Sequence, residues 1–275
     1  MAVAPGAARM PTLCIPHGGG PLPLLGDASH KPLTEWLTRA AQDFPKPHAI
    51  VTISAHWEEK QPTVTSAERP SLKYDYFGFP EEAYNIRYDA PGSPQLAQRI
   101  QQLLHSAGLF CDVDSSRGWD HGVFVPLKLL YPAADIALVE LSMLKSLSAE
   151  EHLRLGEALA PLRDEGVMIL GSGMSFHNMR EFVLKGRGDP KGANIASQEF
   201  DAYIQDALVN PDYTPSQRRQ LLIDWEQGPS ARLCHPREEH LLPLMVAAGA
   251  ACCSQAQVVF SEKLMGATVS GYIWN

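Results

Sequence analysis

"AIVTISAHW", residues 49–57, is the stretch whose reading decides the fold. From 49 to 55 it is almost continuously apolar or β-branched, without the polar alternation of a half-exposed strand. Such a run belongs to a strand covered on both faces, the usual condition of parallel strands in α/β proteins. The run then stops at a histidine.

The same pattern recurs along the chain in "TLCI" (12–15), "ADIALVEL" (134–141), "GVMILG" (166–171) and "ATVSGYIW" (267–274). Between these runs lie helical periods. "SPQLAQRIQQLLHSAG" offers Ser93 as N-cap and Pro94 at the first helical position, and Gly108 stops it. "SAEEHLRLGEALAPLRDEG" opens on a capping box of Ser148 and Glu151. Further helices are expected over "SQEFDAYIQDAL", over 214–227 and over 237–250. Strands alternating with helices predict an α/β fold with a largely parallel or mixed central sheet and helices on both faces. Residues 1–10 are expected to be a flexible tail and 11–275 a single domain. The loop-like "LKGRGDPKGAN" (184–194) is a candidate flap, and the aromatic-rich 74–94 reads as a long ordered loop, which is usually functional.

Composition narrows the classes. The chain has 275 residues, 45% hydrophobic and 20% charged, with a formal net charge of -8 and no basic run. That balance argues against nucleic-acid partners and gives no attraction to anionic membranes. The longest apolar stretch, "LLPLMVAAGAACC", is too short to span a bilayer. Cys14, Cys111, Cys234, Cys252 and Cys253 form no CxxC pattern and read as reduced thiols, which with the absence of an apolar leader predicts a cytoplasmic protein.

Ligands of open α/β sheets bind beyond the carboxyl ends of the strands. His17 follows "TLCI", His56 follows "AIVTIS" and His177 follows "VMILG", all expected at one sheet edge. A single histidine there is ordinarily a satisfied core residue. Three together point to a metal, for which imidazole is the commonest ligand. His121 in "GWDHGVF" and His240 in "HPREEHLLPL", expected early in a helix whose apolar face turns it inward, are further candidates, with His235 competing for the role of His240. His30, His48, His105 and His152 read as structural. "CIPHGGGP" (14–21) admits a second reading, since esterases place an HGGG loop beside their oxyanion hole. That reading needs a G-x-S-x-G elbow, and the nearest string, "GMSFH", lacks the final glycine.

In combination, "PHGGGP", "SAHW", "GFPEEAY", "YDAPGSP", "DHG", "PLRDEGVMILGSG", "HN" and "EHLLPL" resemble the class III extradiol ring-cleavage dioxygenases, more closely their DOPA-dioxygenase branch, from about residue 11 to the C-terminus. The resemblance implies a LigB-like single α/β domain with one non-haem Fe(II). It also implies a catechol-type substrate into which both atoms of O2 are inserted, as in the catabolism of aromatic compounds. His17, His56 and His240 match metal-ligand positions. His177 matches a histidine counted as a fourth ligand in zinc-bound relatives and as an acid/base elsewhere, and His121 matches a histidine that contacts substrate or oxygen. Protocatechuate-type relatives complete the triad with glutamate; here the position holds His240, with Glu239 beside it. An all-histidine site also suits Zn(II), so a zinc hydrolase or a non-catalytic zinc-binding protein on the same scaffold is the alternative. The aromatics Tyr74, Tyr76, Phe77, Phe79 and Tyr84 either wall the substrate pocket or pack on one another.

Overall fold

The computed structural model describes residues 9–184 and 190–275. Most of the expected N-terminal tail and the centre of the expected flap lie outside the described residues.

Four strands meet side by side in parallel: β1 (Thr12–Pro16), β2 (Ala49–Ser54), β3 (Ala137–Glu140) and β4 (Val167–Gly173). β4 is buried at every position, as its unbroken apolar run requires. A C-terminal hairpin, β5 (Gln257–Leu264) and β6 (Ala267–Trp274), adds to β1 antiparallel. The six-stranded sheet therefore has the order β3-β2-β4-β1-β6-β5 and is mixed. β5 escapes a reading based on apolar runs because it is an edge strand with mostly exposed side chains, only Phe260 and Leu264 being buried. The tight turn at Met265 and Gly266, both with positive φ, is the hairpin signal that the sequence does carry.

Register sets the site. Pro16 pairs with Gly173 and Ser54 with Ser172, so β1, β2 and β4 end at one level. Alternate residues of β4 face opposite sides. Ser172 points toward the first turn of helix α3 (His121–Leu130), donating to the Gly122 carbonyl. Gly171 and Gly173 point the other way, where a Cβ would strike the carbonyls of Pro243 and His240. The "GSG" of β4 thus lets two segments press on opposite faces of the central strand, and each of them carries a histidine.

The helices, of which α1 is Lys31–Ala40, follow their sequence signals with instructive differences. α2 (Pro94–Ser106) begins as expected, the Ser93 side chain accepting from the Leu96 N–H at 3.2 Å. Ser148 caps α4 (Ala149–Leu159), but Glu151 turns to Ser146 and completes no box. A full capping box stands instead at Thr214 and Gln217, ahead of Pro215–Ile223. The expected helix over 237–250 is shorter: α5 spans Leu242–Ala250, with Pro243 in its first turn. Every residue of α5 is buried, so it has no single apolar face to turn His240 inward. His240 precedes the helix, and its position comes from its backbone, whose carbonyl accepts from the Met174 N–H at 2.9 Å.

Candidate metal centre

His17, His56 and His240 arrive at one point from three directions. His17 leaves β1 directly, its N–H donating to the Gly173 carbonyl at 3.3 Å. Gly18 then takes φ +81°, a left-handed conformation that favours glycine. His56 follows β2 after Ala55, which donates to the Ser172 carbonyl at 3.1 Å. His240 crosses over Gly173 as described. One nitrogen from each of these rings lies within 4.8 Å of the others.

The partners of the Nδ1 atoms decide which nitrogen is left for a metal. Ser172 spends its proton on the Gly122 carbonyl, so its oxygen accepts from His17 Nδ1 at 3.1 Å. A Glu239 carboxylate oxygen sits 3.0 Å from His240 Nδ1, and an Asp75 oxygen 3.7 Å from His56 Nδ1. Carboxylates only accept, so His240 keeps its proton on Nδ1, and the Asp75 charge, beyond hydrogen-bond length, favours the same tautomer of His56; each ring is then left a lone pair on Nε2. The Nε2 atoms of His17 and His56 are 3.2 Å apart. Two bare lone pairs facing one another at that distance call for a cation. Burial, reinforced by the neighbouring His56, His121 and His177, holds His17 well below the ordinary imidazole range. Burial, then His177, His56 and His17, does the same for His240, and burial with His121 brings His56 to about 4. All three are therefore neutral near pH 7, the form that binds metals. Neutral imidazoles suit Fe(II) and Zn(II) alike, so the residues fit the metal that the resemblance implies.

His121 and His177 flank this point. His121 is the first residue of α3, and its ring centroid lies 3.9 Å from that of His56 and 5.4 Å from that of His17. Its Nδ1 and its backbone N–H both donate to one oxygen of Asp75, at 2.8 and 3.0 Å. Burial resists a charge on Asp75, but these hydrogen bonds and the nearby rings overcome it and lower its pKa to about 2. His177 stacks on His240 with centroids 3.3 Å apart and planes 12° apart, and its Nδ1 lies 3.3 Å from the Glu239 oxygen. The sequence singled out neither carboxylate as functional. Asp75 was visible only as an acid among aromatics in "YDYFGFP", and Glu239 only as the neighbour of His240.

Below His56 lies a buried polar network also missed from the sequence. Ser54 donates to Asp120 at 2.7 Å, Arg117 binds Asp120 at 2.6 Å, and Arg117 reaches Glu140 at 3.3 Å. Burial and the adjacent Asp120 push Glu140 well above the carboxylate range, while Asp120 stays low despite burial, helped by its hydrogen bond with Glu140. Asp120 occupies the N-cap position of α3, so the network fixes the helix start that presents His121.

The remaining candidates separate cleanly. His235 is buried away from the cluster, donating from Nε2 to the Ser175 carbonyl at 2.9 Å. His30 accepts from the Gly19 N–H at 3.0 Å, and His152 accepts from the Leu144 N–H at 3.0 Å. His48 and His105 are exposed. Tyr74, Tyr76, Phe79 and Tyr84 pack on one another and on Phe124, with only Tyr76 edging His121 at 5.9 Å between centroids. Phe77 stands outside this cluster, 90% exposed.

Comparison with known proteins gives one consistent picture. Residues 11–271 match the family model described as the catalytic LigB subunit of aromatic ring-opening dioxygenase. The dioxygenase tasH of Hapsidospora irregularis is 39% identical, covering 96% of this chain and 85% of its own. A 4,5-DOPA dioxygenase extradiol of Beta vulgaris is 41% identical over 87% of this chain and 86% of its own. Its namesake in Escherichia coli K12 is 36% identical over 89% and 86%. The crystal structure of an uncharacterized Escherichia coli K12 protein superposes with a TM-score of 0.76 at 31% identity, covering 97% of this chain and 100% of that one.

Proposed function

The chain belongs to the family of the catalytic LigB subunit of aromatic ring-opening dioxygenases, and from that premise we propose that it cleaves a catechol beside the diol at a single Fe(II) held by His17, His56 and His240. The observation that carries the ligand set is the convergence of three imidazoles within 4.8 Å, with the Nε2 atoms of His17 and His56 facing one another, whereas the two other such groups each include a carboxylate already engaged with its histidines. When bound, the metal supplies Lewis acidity that favours the catecholate and, as iron, one-electron exchange between substrate and O2.

The chain supplies the proton handling. Asp75 occupies Nδ1 of His121, which leaves the Nε2 lone pair of that ring to take a proton from a catechol hydroxyl. His177, stacked on His240, serves the later proton transfers. Both oxygen atoms of O2 end in the ring-opened semialdehyde, so the reaction balances without an external reductant. The 4,5-DOPA dioxygenases among the relatives point to a catechol bearing a side chain as the substrate class.

We read residues 11–275 as the one catalytic domain. No helix among the described residues is long and apolar enough to cross a membrane. The five cysteines are free thiols, which supports work in a reducing, cytoplasmic compartment. The test is an oxygen electrode with anaerobically purified protein and a catechol panel. One O2 consumed per catechol, with a yellow product, supports the reading; oxygen uptake absent across the panel refutes it.

A further inference from the structure

Asp75 and Glu239 stand in the same relation to the two halves of the site. Asp75 lies between His56, at 3.7 Å from its Nδ1, and His121, at 2.8 Å from its Nδ1. Glu239 lies between His240, at 3.0 Å from its Nδ1, and His177, at 3.3 Å from its Nδ1. Each carboxylate thus joins one ring that faces the metal position to one ring beside it. We propose that Asp75 and Glu239 are paired positioning residues, each fixing the orientation and tautomer of one metal-facing histidine together with one proton-handling histidine.

Both carboxylates are themselves held. The Asp75 oxygen that meets the His121 ring also accepts the His121 backbone N–H at 3.0 Å, tying it to the start of α3. The second oxygen of Glu239 makes no hydrogen bond but faces the Arg237 guanidinium as an ion pair at 3.3 Å, and Arg237 is clamped on Glu58 by contacts of 2.6 and 2.5 Å. A carboxylate anchored in this way offers acceptors only, and so keeps the facing Nδ1 atoms protonated. Outer partners of metal-facing histidines are known to govern ligand orientation and basicity. The sharing has a consequence of its own: one acid serves a ligand and a non-ligand ring, so a metal-binding defect and a proton-transfer defect should arise together from one substitution.

An amide of the same shape breaks the sharing, because it carries one acceptor and one donor. In Asp75→Asn the oxygen keeps His121 and the NH2 faces His56 Nδ1 where the wild type has a negative charge at 3.7 Å, which favours the Nε2–H tautomer of His56 and takes its lone pair away from the metal position. In Glu239→Gln the oxygen is drawn to Arg237 and the NH2 faces His177 and His240.

The inference rests on the ligand set proposed above, and its test separates the two. ¹⁵N chemical shifts of histidine-labelled, metal-free protein report the tautomers directly. The expected result is Nδ1–H in the wild type for His56, His121, His177 and His240. Asp75→Asn should shift His56 alone toward Nε2–H, and Glu239→Gln should shift His177 and His240 alone. Co(II) affinity, read from its visible spectrum, should fall about 10–100-fold in each variant, and Asp75→Glu should recover most of it. Should an amide variant fail to fold, Asp75→Glu still decides: wild-type tautomers and Co(II) affinity within about threefold are expected, and their loss overturns the proposal. Unchanged tautomers in both amide variants overturn it as well. A wild type that binds no Co(II) refutes the ligand set, while the metal-free spectra still judge the positioning role.

Discussion

The Nε2 atoms of His17 and His56 face one another at 3.2 Å across 39 residues of chain. They meet there because β1 and β2 flank β4 and end at its last two residues. Removing either ring takes away one of three neutral donors at a buried point. His56→Ala should therefore bind Fe(II) or Zn(II) far below stoichiometry, as measured by metal analysis after dialysis. His48→Ala, at the other end of the same strand and exposed, should keep full metal content. Full metal content in His56→Ala would refute the ligand set.

Gly173 controls the third ligand through the backbone. A Cβ there would collide with the His240 carbonyl, which is already committed to the Met174 N–H at 2.9 Å. Gly173→Ala should displace the turn carrying His240, lower metal affinity by tenfold or more on the order seen for disturbed ligand support, and cost roughly 1–3 kcal/mol of stability as an overpacking change. Metal titration and denaturant unfolding check both; wild-type values in each would show that this contact does not place His240.

How much of this is legible in the sequence differs between backbone and site. The parallel strands were readable because burial on both faces leaves an unbroken apolar run, and the histidines that end β1 and β2 were readable for the same reason. β5 was not, because one buried side chain in several leaves no periodic signal on an edge. The placement of His240 was expected for the wrong cause, since a helix buried all round has no inward face. Asp75 lay hidden because its role depends on contact with His121, 46 residues away, which no local pattern encodes.

His121 should behave as a proton-handling residue. Its Nδ1 is taken by Asp75, with which it and His56 form a separate convergence of ligand atoms, and its ring lies beside that of His56. His121→Phe should keep metal content near wild type while kcat falls about 10²–10⁴-fold. Metal lost in proportion to activity would instead make it a ligand.

His235 gives a pH signature outside the site. Burial among Phe200 and Trp225 lowers its pKa from 6.5 to about 4. A group depressed in the folded state binds protons first in the unfolded state, so stability is complete above about 6.5 and falls as pH drops toward 4. The window is worth about 3 kcal/mol at most, at about 1.4 kcal/mol per unit. His235→Gln, which keeps a donor for the Ser175 carbonyl, should remove one histidine's share of the slope in metal-free protein, the share of the depressed His17, His56 and His240 remaining. Denaturant unfolding at several pH values decides it, and an unchanged slope would contradict the assignment.

The central claim is ring cleavage that depends on iron at a three-histidine site. Metal-free protein is reconstituted anaerobically with Fe(II) or with Zn(II), given DOPA, caffeate or protocatechuate, and exposed to air while dissolved oxygen and visible absorbance are followed. Zinc can bind the same neutral imidazoles but cannot change oxidation state. The account predicts oxygen uptake and a yellow ring-opened product with Fe(II) and neither with Zn(II). Oxygen uptake with neither metal, together with ester or amide hydrolysis by the zinc form, would contradict it.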